Sequence, residues 1–207
     1  MEKKKNILYL KNLVIIAMLS CLSVGLMLIH VPIPFAPSFL KLDVAEVPAL
    51  FAGFFMGFIQ GITVILIKNI INFIQTGTTT AFVGEFMNII SGGLFIIISS
   101  YIYRMNKTKN GAILGMIIST IITSIILTIL NSIYVFPIYG ELYGLSIEKI
   151  VAMARAVNPF VKDNFTMMLF SVFPFNLLKF SLNSIITFII YKRVGNIFRR
   201  FLNKGNE

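Results

Sequence analysis

The stretch at residues 174–192, PFNLLKFSLNSIITFIIYK, decides the fold. It is apolar over nearly a membrane's length, yet it carries Asn176, Lys179 and Asn183. Spacings of three and four residues put all three on one helix face. A lysine and two asparagines in hydrocarbon are costly unless they line a cavity or meet a ligand. The stretch therefore reads as a membrane helix with an inward polar stripe, around which the other segments fold to make a ligand pocket.

The remaining sequence agrees with a polytopic membrane protein. It is 57% hydrophobic and 13% charged over 207 residues, with a formal net charge of +10. In a soluble chain that charge would suggest nucleic acid, but here the basic residues sit at the ends of apolar runs. Lys3, Lys4, Lys5 and Lys11 precede the first run, Arg104, Lys107 and Lys109 occupy one tight connection, and Lys192, Arg193, Arg199, Arg200 and Lys204 follow the last. The positive-inside rule then places both termini and the 104–109 connection in the cytoplasm. A basic patch facing anionic lipid is compatible with the same pattern. Cys21 is the single cysteine and His30 the single histidine, which excludes an intramolecular disulfide and a His-rich metal site. The first apolar run reads as a retained helix rather than a cleaved signal, because it lacks a small-x-small cleavage site.

In chain order, six spans are expected. The first covers about 8–30, with Ala17, Cys21 and Gly25 four residues apart, a strip for close helix packing either within the chain or against a partner subunit. Residues 31–48 carry Pro32, Pro34, Pro37 and Pro48 and form a long outer loop; its Phe35, Phe39, Leu40 and Leu42 suggest a cover. The segment from Pro48 is short for a span, and the next places Lys68, Asn72 and Gln75 on one face. The loop TGTTTAFVGE, 76–85, lacks the GKS or GKT ending of a phosphate loop. Glu85 opens the fourth helix, where a carboxylate also suits the N-terminal dipole. The fifth helix, about 112–136, carries Asn131 near its outer end, and YVFPIYGELYG is expected to break it. Residues 145–157 read as a short amphipathic helix at the interface. The sixth helix, about 165–191, holds Pro174 as a kink or late start. Residues 8–192 are thus one membrane domain and 193–207 a basic cytoplasmic tail.

Depth places the polar residues together. At about 1.5 Å per residue, Lys179 lies about 18 Å from the cytoplasmic end, Asn176 about 22 Å, and Glu85 and Asn131 about 27 Å, in a core about 30 Å thick. All fall in the outer half, so the pocket opens outward and is blind inward, unlike a channel. Amides, a cation, a carboxylate and many phenylalanines suit an amphipathic small molecule with a flat ring. In the empty protein, Lys179 is expected to pair with Glu85. Asn183, about 6 Å deeper than Lys179, is expected to be pocket floor or helix glue.

Three stretches in order, FLKLDVAEVPALFAGFFMGFIQG (39–61), IKNIINFIQTGTTTAFVGEFMNIISG (67–92) and PFNLLKF (174–180), resemble the substrate-binding S components of energy-coupling factor (ECF) transporters, specifically their riboflavin-binding RibU group. The resemblance spans roughly 10–190. It implies an all-α integral membrane protein of six transmembrane helices with long outer loops. It implies riboflavin as the transported ligand, with FMN as a second candidate, and no cofactor or catalysis. It implies a multi-pass place in the cell membrane and docking on a transmembrane T component with two ATPase subunits, with no nucleic acid. Carried over by position, the ligand contacts are Glu85, Asn131, Asn176 and Lys179, with Phe39, Leu42 and Asp43 from the first loop. The partner contact is the strip Ala17, Cys21 and Gly25, where Cys21 replaces a customary alanine. The residues alone also fit an S component for another vitamin, a membrane-embedded enzyme built on Glu85 and Lys179, or a structural bundle whose polar stripe glues helices.

Overall fold

Hydrocarbon leaves a backbone no water to bond, so apolar runs of this length close their hydrogen bonds internally as helices. The computed structural model describes residues 2–33, 41–78, 80–144 and 146–203. In order these form α1 (Glu2–Leu28), β1 (Val31–Pro32), β2 (Lys41–Leu42), α2 (Glu46–Phe55), α3 (Phe58–Thr76), α4 (Val83–Met105) and α5 (Lys109–Leu130). There follow a π-helical turn at Asn131–Val135, α6 (Phe136–Tyr143), α7 (Ile147–Val157), α8 (Asn164–Met167), a second π-helical turn at Met168–Val172, and α9 (Phe173–Asn203). The two short strands pair antiparallel, Val31 with Leu42. Residues 34–40, with Phe35, Phe39 and Leu40 of the expected cover, lie outside the described residues, as do Leu145 and Lys204.

Among the described residues, five helical stretches are long and apolar enough to cross a membrane: Leu10–Leu28, Phe58–Thr76, Val83–Met105, Lys109–Leu142 and Asn164–Asn196. The expected six spans thus become five of full length plus α2, whose 10 residues rise about 15 Å, half the hydrocarbon thickness. Its length suits its place. Every residue from Glu46 to Phe54 is buried, and α2 packs on α1, α3, α4 and α9. A Cβ on Gly61 would lie 2.9 Å from the Ala49 carbonyl oxygen and 2.5 Å from Ile96, so only glycine lets α3 pass this close to α2 and α4.

Two prolines are absorbed within helices, Pro137 where the sequence suggested a break and Pro174 where it suggested a kink or late start. The fifth helix does not stop at YVFPIYGELYG. It widens by one residue, with Phe136 N–H donating to Asn131 O, runs on through Pro137, and ends at Gly144 with φ +60°. The last helix repeats the device: Phe173 N–H donates to Met168 O one residue before Pro174. A proline has no N–H to return to the carbonyl four residues back, and a π-turn redistributes the bonds around it. The carbonyl four residues before Pro174, Phe170 O, accepts from Asn158 Nδ2 at 2.9 Å. Asn158 follows α7, whose Ile150, Val151 and Ala154 are buried against Val135, Phe136, Met167, Met168 and Val172. The amphipathic helix is therefore present and covers both π-turns. α9 continues without a break to Asn203, and Phe198 packs on Phe55, their centroids 5.1 Å apart.

α1 is the least enclosed span. Ile16, Ser20, Ser23 and Val24 face inward, and the Ser23 hydroxyl donates to Ala45 O. Ala17, Cys21 and Gly25 are all exposed, so that strip is not used for packing within the described chain.

Candidate functional site

At the end of the bundle where β1 and β2 lie, a cavity of about 280 Å³ opens between the helices. Its walls come from the ends of α1, α3 and α4, the first π-turn, α6, and α9. Asp43, Glu85, Asn131, Asn176 and Lys179 all line it, together with Asn72, Asn88 and Tyr139. Phe175, Phe180, Met27 and Met87 supply apolar surface. Leu42 does not line it but packs on Ile33 and Phe175, behind the wall. Phe39 lies outside the described residues.

Below the cavity is a buried ionic cluster. Lys179 Nζ lies 3.3 Å from Asp43 Oδ2 and 3.7 Å from Glu46 Oε1. Lys68 Nζ donates to Glu46 Oε1 at 2.8 Å. Two cations thus face two carboxylates, which is the condition for keeping charges out of water. The expected pairing of Lys179 with Glu85 is corrected: Asp43 and Glu46 take that role, because the chain entering α2 descends beside α9. Asn183 pins it there. Its Oδ1 accepts from Glu46 N–H at 3.1 Å, and its Nδ2 donates to Asp43 O at 3.0 Å and Lys179 O at 2.9 Å. Asn183 is fully buried and outside the cavity wall, so it acts as helix glue.

Asp43 lies outside the spans. Burial works to raise its carboxyl pKa, but Lys179, Lys68 and the Ala45 N–H outweigh it and hold the group below the usual carboxylate range. The Asp43 carboxylate holds the Lys179 ammonium at the cavity floor.

The two wall amides share one arrangement. Asn131 Nδ2 donates to Leu127 O at 2.7 Å, and Asn176 Nδ2 donates to Val172 O at 3.0 Å. A carbonyl only accepts, so in each amide the nitrogen turns to its own helix and Oδ1 is left for a ligand. The π-turns at 131–135 and 168–172 set the helix ends on which these residues stand.

The sequence matches the family "ECF transporter, substrate-specific component" over residues 11–191. The chain belongs to the S components of ECF transporters. Relatives include the riboflavin transporter RibU of Staphylococcus aureus (strain TCH60), 33% identical over 200 residues, covering 96% of this chain and 98% of the relative. The riboflavin transporter FmnP of Bacillus subtilis (strain 168) is 33% identical over 130 residues, 62% of this chain and 68% of that protein. A solved S component of a bacterial ECF transporter superposes with a TM-score of 0.70 at 33% identity, covering 90% of this chain and 96% of that one. The work of this S component is transport, not catalysis.

Sequence reasoning missed one residue beside the S component's site and singled out another without placing it among the ligand contacts. The first is Glu46, fully buried and joined to Lys68. Its signal was an acidic residue opening an otherwise apolar short helix. The other is Asn72, which reaches the cavity from the face of α3 that also carries Lys68.

Proposed function

We propose that this S component binds riboflavin in the cavity and hands it inward as part of an ECF importer, with a T component and two ATPase subunits. The observation that carries the reading is the wall chemistry. Asn131 Oδ1, Asn176 Oδ1 and one oxygen of Glu85 are acceptors with no hydrogen-bond partner among the described residues. Lys179 is the cation beside them. Such a wall suits a ligand with an imide N–H, carbonyls and a chain of hydroxyls, and Phe175, Phe180 and Tyr139 suit its flat ring. Riboflavin has all of these, and relatives that match nearly the whole chain are named riboflavin transporters.

In this reading Glu85, Asn131, Asn176 and Lys179 contact the ligand, Asp43 holds Lys179, Leu42 backs Phe175, and Phe39 comes from the covering loop. α2 counts as the sixth membrane segment. Arg104, Lys107, Lys109, Lys192 and Arg193 lie at the bundle end away from the cavity, which supports a cytoplasmic location for that end and for both termini, with the cavity facing outside. The exposed strip Ala17, Cys21 and Gly25 is the face offered to the T component.

The test is direct. Protein purified from a flavin-containing host should be yellow with flavin absorbance, and stripped protein should quench added riboflavin. Colourless protein that leaves riboflavin fluorescence unquenched overturns the reading.

A further inference from the structure

The loop between α3 and α4 carries an arrangement that the family assignment leaves unexplained. Thr80 Oγ1 donates to Glu85 Oε2 at 2.9 Å, and Thr78 Oγ1 donates to the same oxygen at 3.2 Å. Both hydroxyls are themselves oriented. Thr78 Oγ1 accepts from the N–H groups of Thr80 and Phe82 at 3.2 and 2.9 Å, and Thr80 Oγ1 accepts from Gly84 N–H at 3.0 Å. A hydroxyl has one proton and two lone pairs, so with the backbone donors on the oxygen the proton is left to the carboxylate.

The backbone is bent to allow this. Ala81 and Phe82 take φ +47° and +69°, a left-handed conformation that non-glycine residues adopt at a cost and that concentrates at functional sites. The Phe82 ring anchors the bend on Phe73, centroids 5.1 Å apart. At Gly84, a Cβ would stand 2.6 Å from Thr80 Oγ1. Oε2 of Glu85 is thereby occupied, while Oε1 has no hydrogen-bond partner among the described residues and Glu85 lines the cavity.

We propose that Thr78 and Thr80 are positioning residues: they fix the Glu85 carboxylate so that a single oxygen is presented to a hydroxyl or N–H of the bound solute. The inference rests on the riboflavin reading for its ligand. It separates from simple helix capping, because a cap would not make the role of Thr80 depend on Glu85.

The experiment is a double-mutant cycle on riboflavin affinity, read by flavin fluorescence quenching with the full chain in detergent. Thr80→Val should weaken binding about tenfold, and Thr80→Ser should restore it to within about twofold. In a Glu85→Gln background, Thr80→Val should add less than about twofold further loss. Gly84→Ala should reproduce Thr80→Val, and Thr78→Val replaces Thr80→Val in the cycle if the latter lacks a cooperative thermal transition. Additive losses, or Thr80→Ser no better than Thr80→Val, overturn this inference while wild-type binding leaves the riboflavin reading standing. Wild-type protein that does not bind riboflavin overturns both.

Discussion

Lys179 and Asp43 meet at the cavity floor with Nζ and Oδ2 3.3 Å apart, from positions 136 residues apart in the chain. One lysine therefore ties two distant parts of the fold together and also lines the cavity, where the riboflavin reading gives it a ligand contact. Lys179→Met should lower stability by about 3–5 kcal/mol, because it strands a buried carboxylate, and should weaken riboflavin binding by about 10- to 100-fold through loss of a charged donor. The two effects separate in the Asp43→Asn/Lys179→Met pair, which should regain much of the thermal stability but none of the affinity. Circular-dichroism melts and flavin titrations on the same preparations check this.

The Lys68–Glu46 pair, at 2.8 Å with both side chains buried, has no comparable ligand role, since neither residue lines the cavity. Lys68→Met should destabilise by about 3–5 kcal/mol, and Glu46→Gln with Lys68→Met should recover a large part of that loss. Equal melting midpoints for Lys68→Met and wild type would contradict the pairing.

Asn131 and Asn176 each spend their amide nitrogen on a carbonyl four residues back that the helix already bonds. Replacing either with leucine should cost little stability, under about 1 kcal/mol. Each should weaken riboflavin binding about tenfold by removing Oδ1 as an acceptor. Affinity unchanged in both variants would place the ligand elsewhere in the cavity.

Much of this site was legible in the sequence, for a physical reason. Asn176 and Lys179 stand out in apolar surroundings where polar groups need partners, and helical rise alone brings Glu85 and Asn131 to a similar depth. What helical rise cannot supply is lateral neighbours. Which carboxylate meets Lys179 depends on how deep the chain enters α2, and that depends on Asn183 binding Glu46 N–H and Asp43 O. Pro137 misled in the same way. It looked like a terminator because local rules see only the missing N–H. The π-turn before it, and the Asn158 amide serving Phe170 O near Pro174, are tertiary solutions. The short length of α2 was readable from its ten-residue run, but its central position was not.

The ionised state of Asp43 gives the fold an acid limit. Its carboxyl is held below the ordinary value of 3.8, with burial opposing and Lys179, Lys68 and the Ala45 N–H prevailing. A carboxylate with a depressed folded-state pKa binds protons more readily in the unfolded chain. Its stabilising contribution is therefore fully present above 3.8 and is lost as pH falls through the lower, folded value. The melting midpoint in detergent should be level from neutral pH to about pH 5 and fall below about pH 4. Asp43→Asn should start lower at neutral pH, because Lys179 loses its nearest carboxylate, and should show a shallower acid limb. An Asp43→Asn variant that kept the wild-type slope below pH 4 would assign the acid limit to another carboxylate.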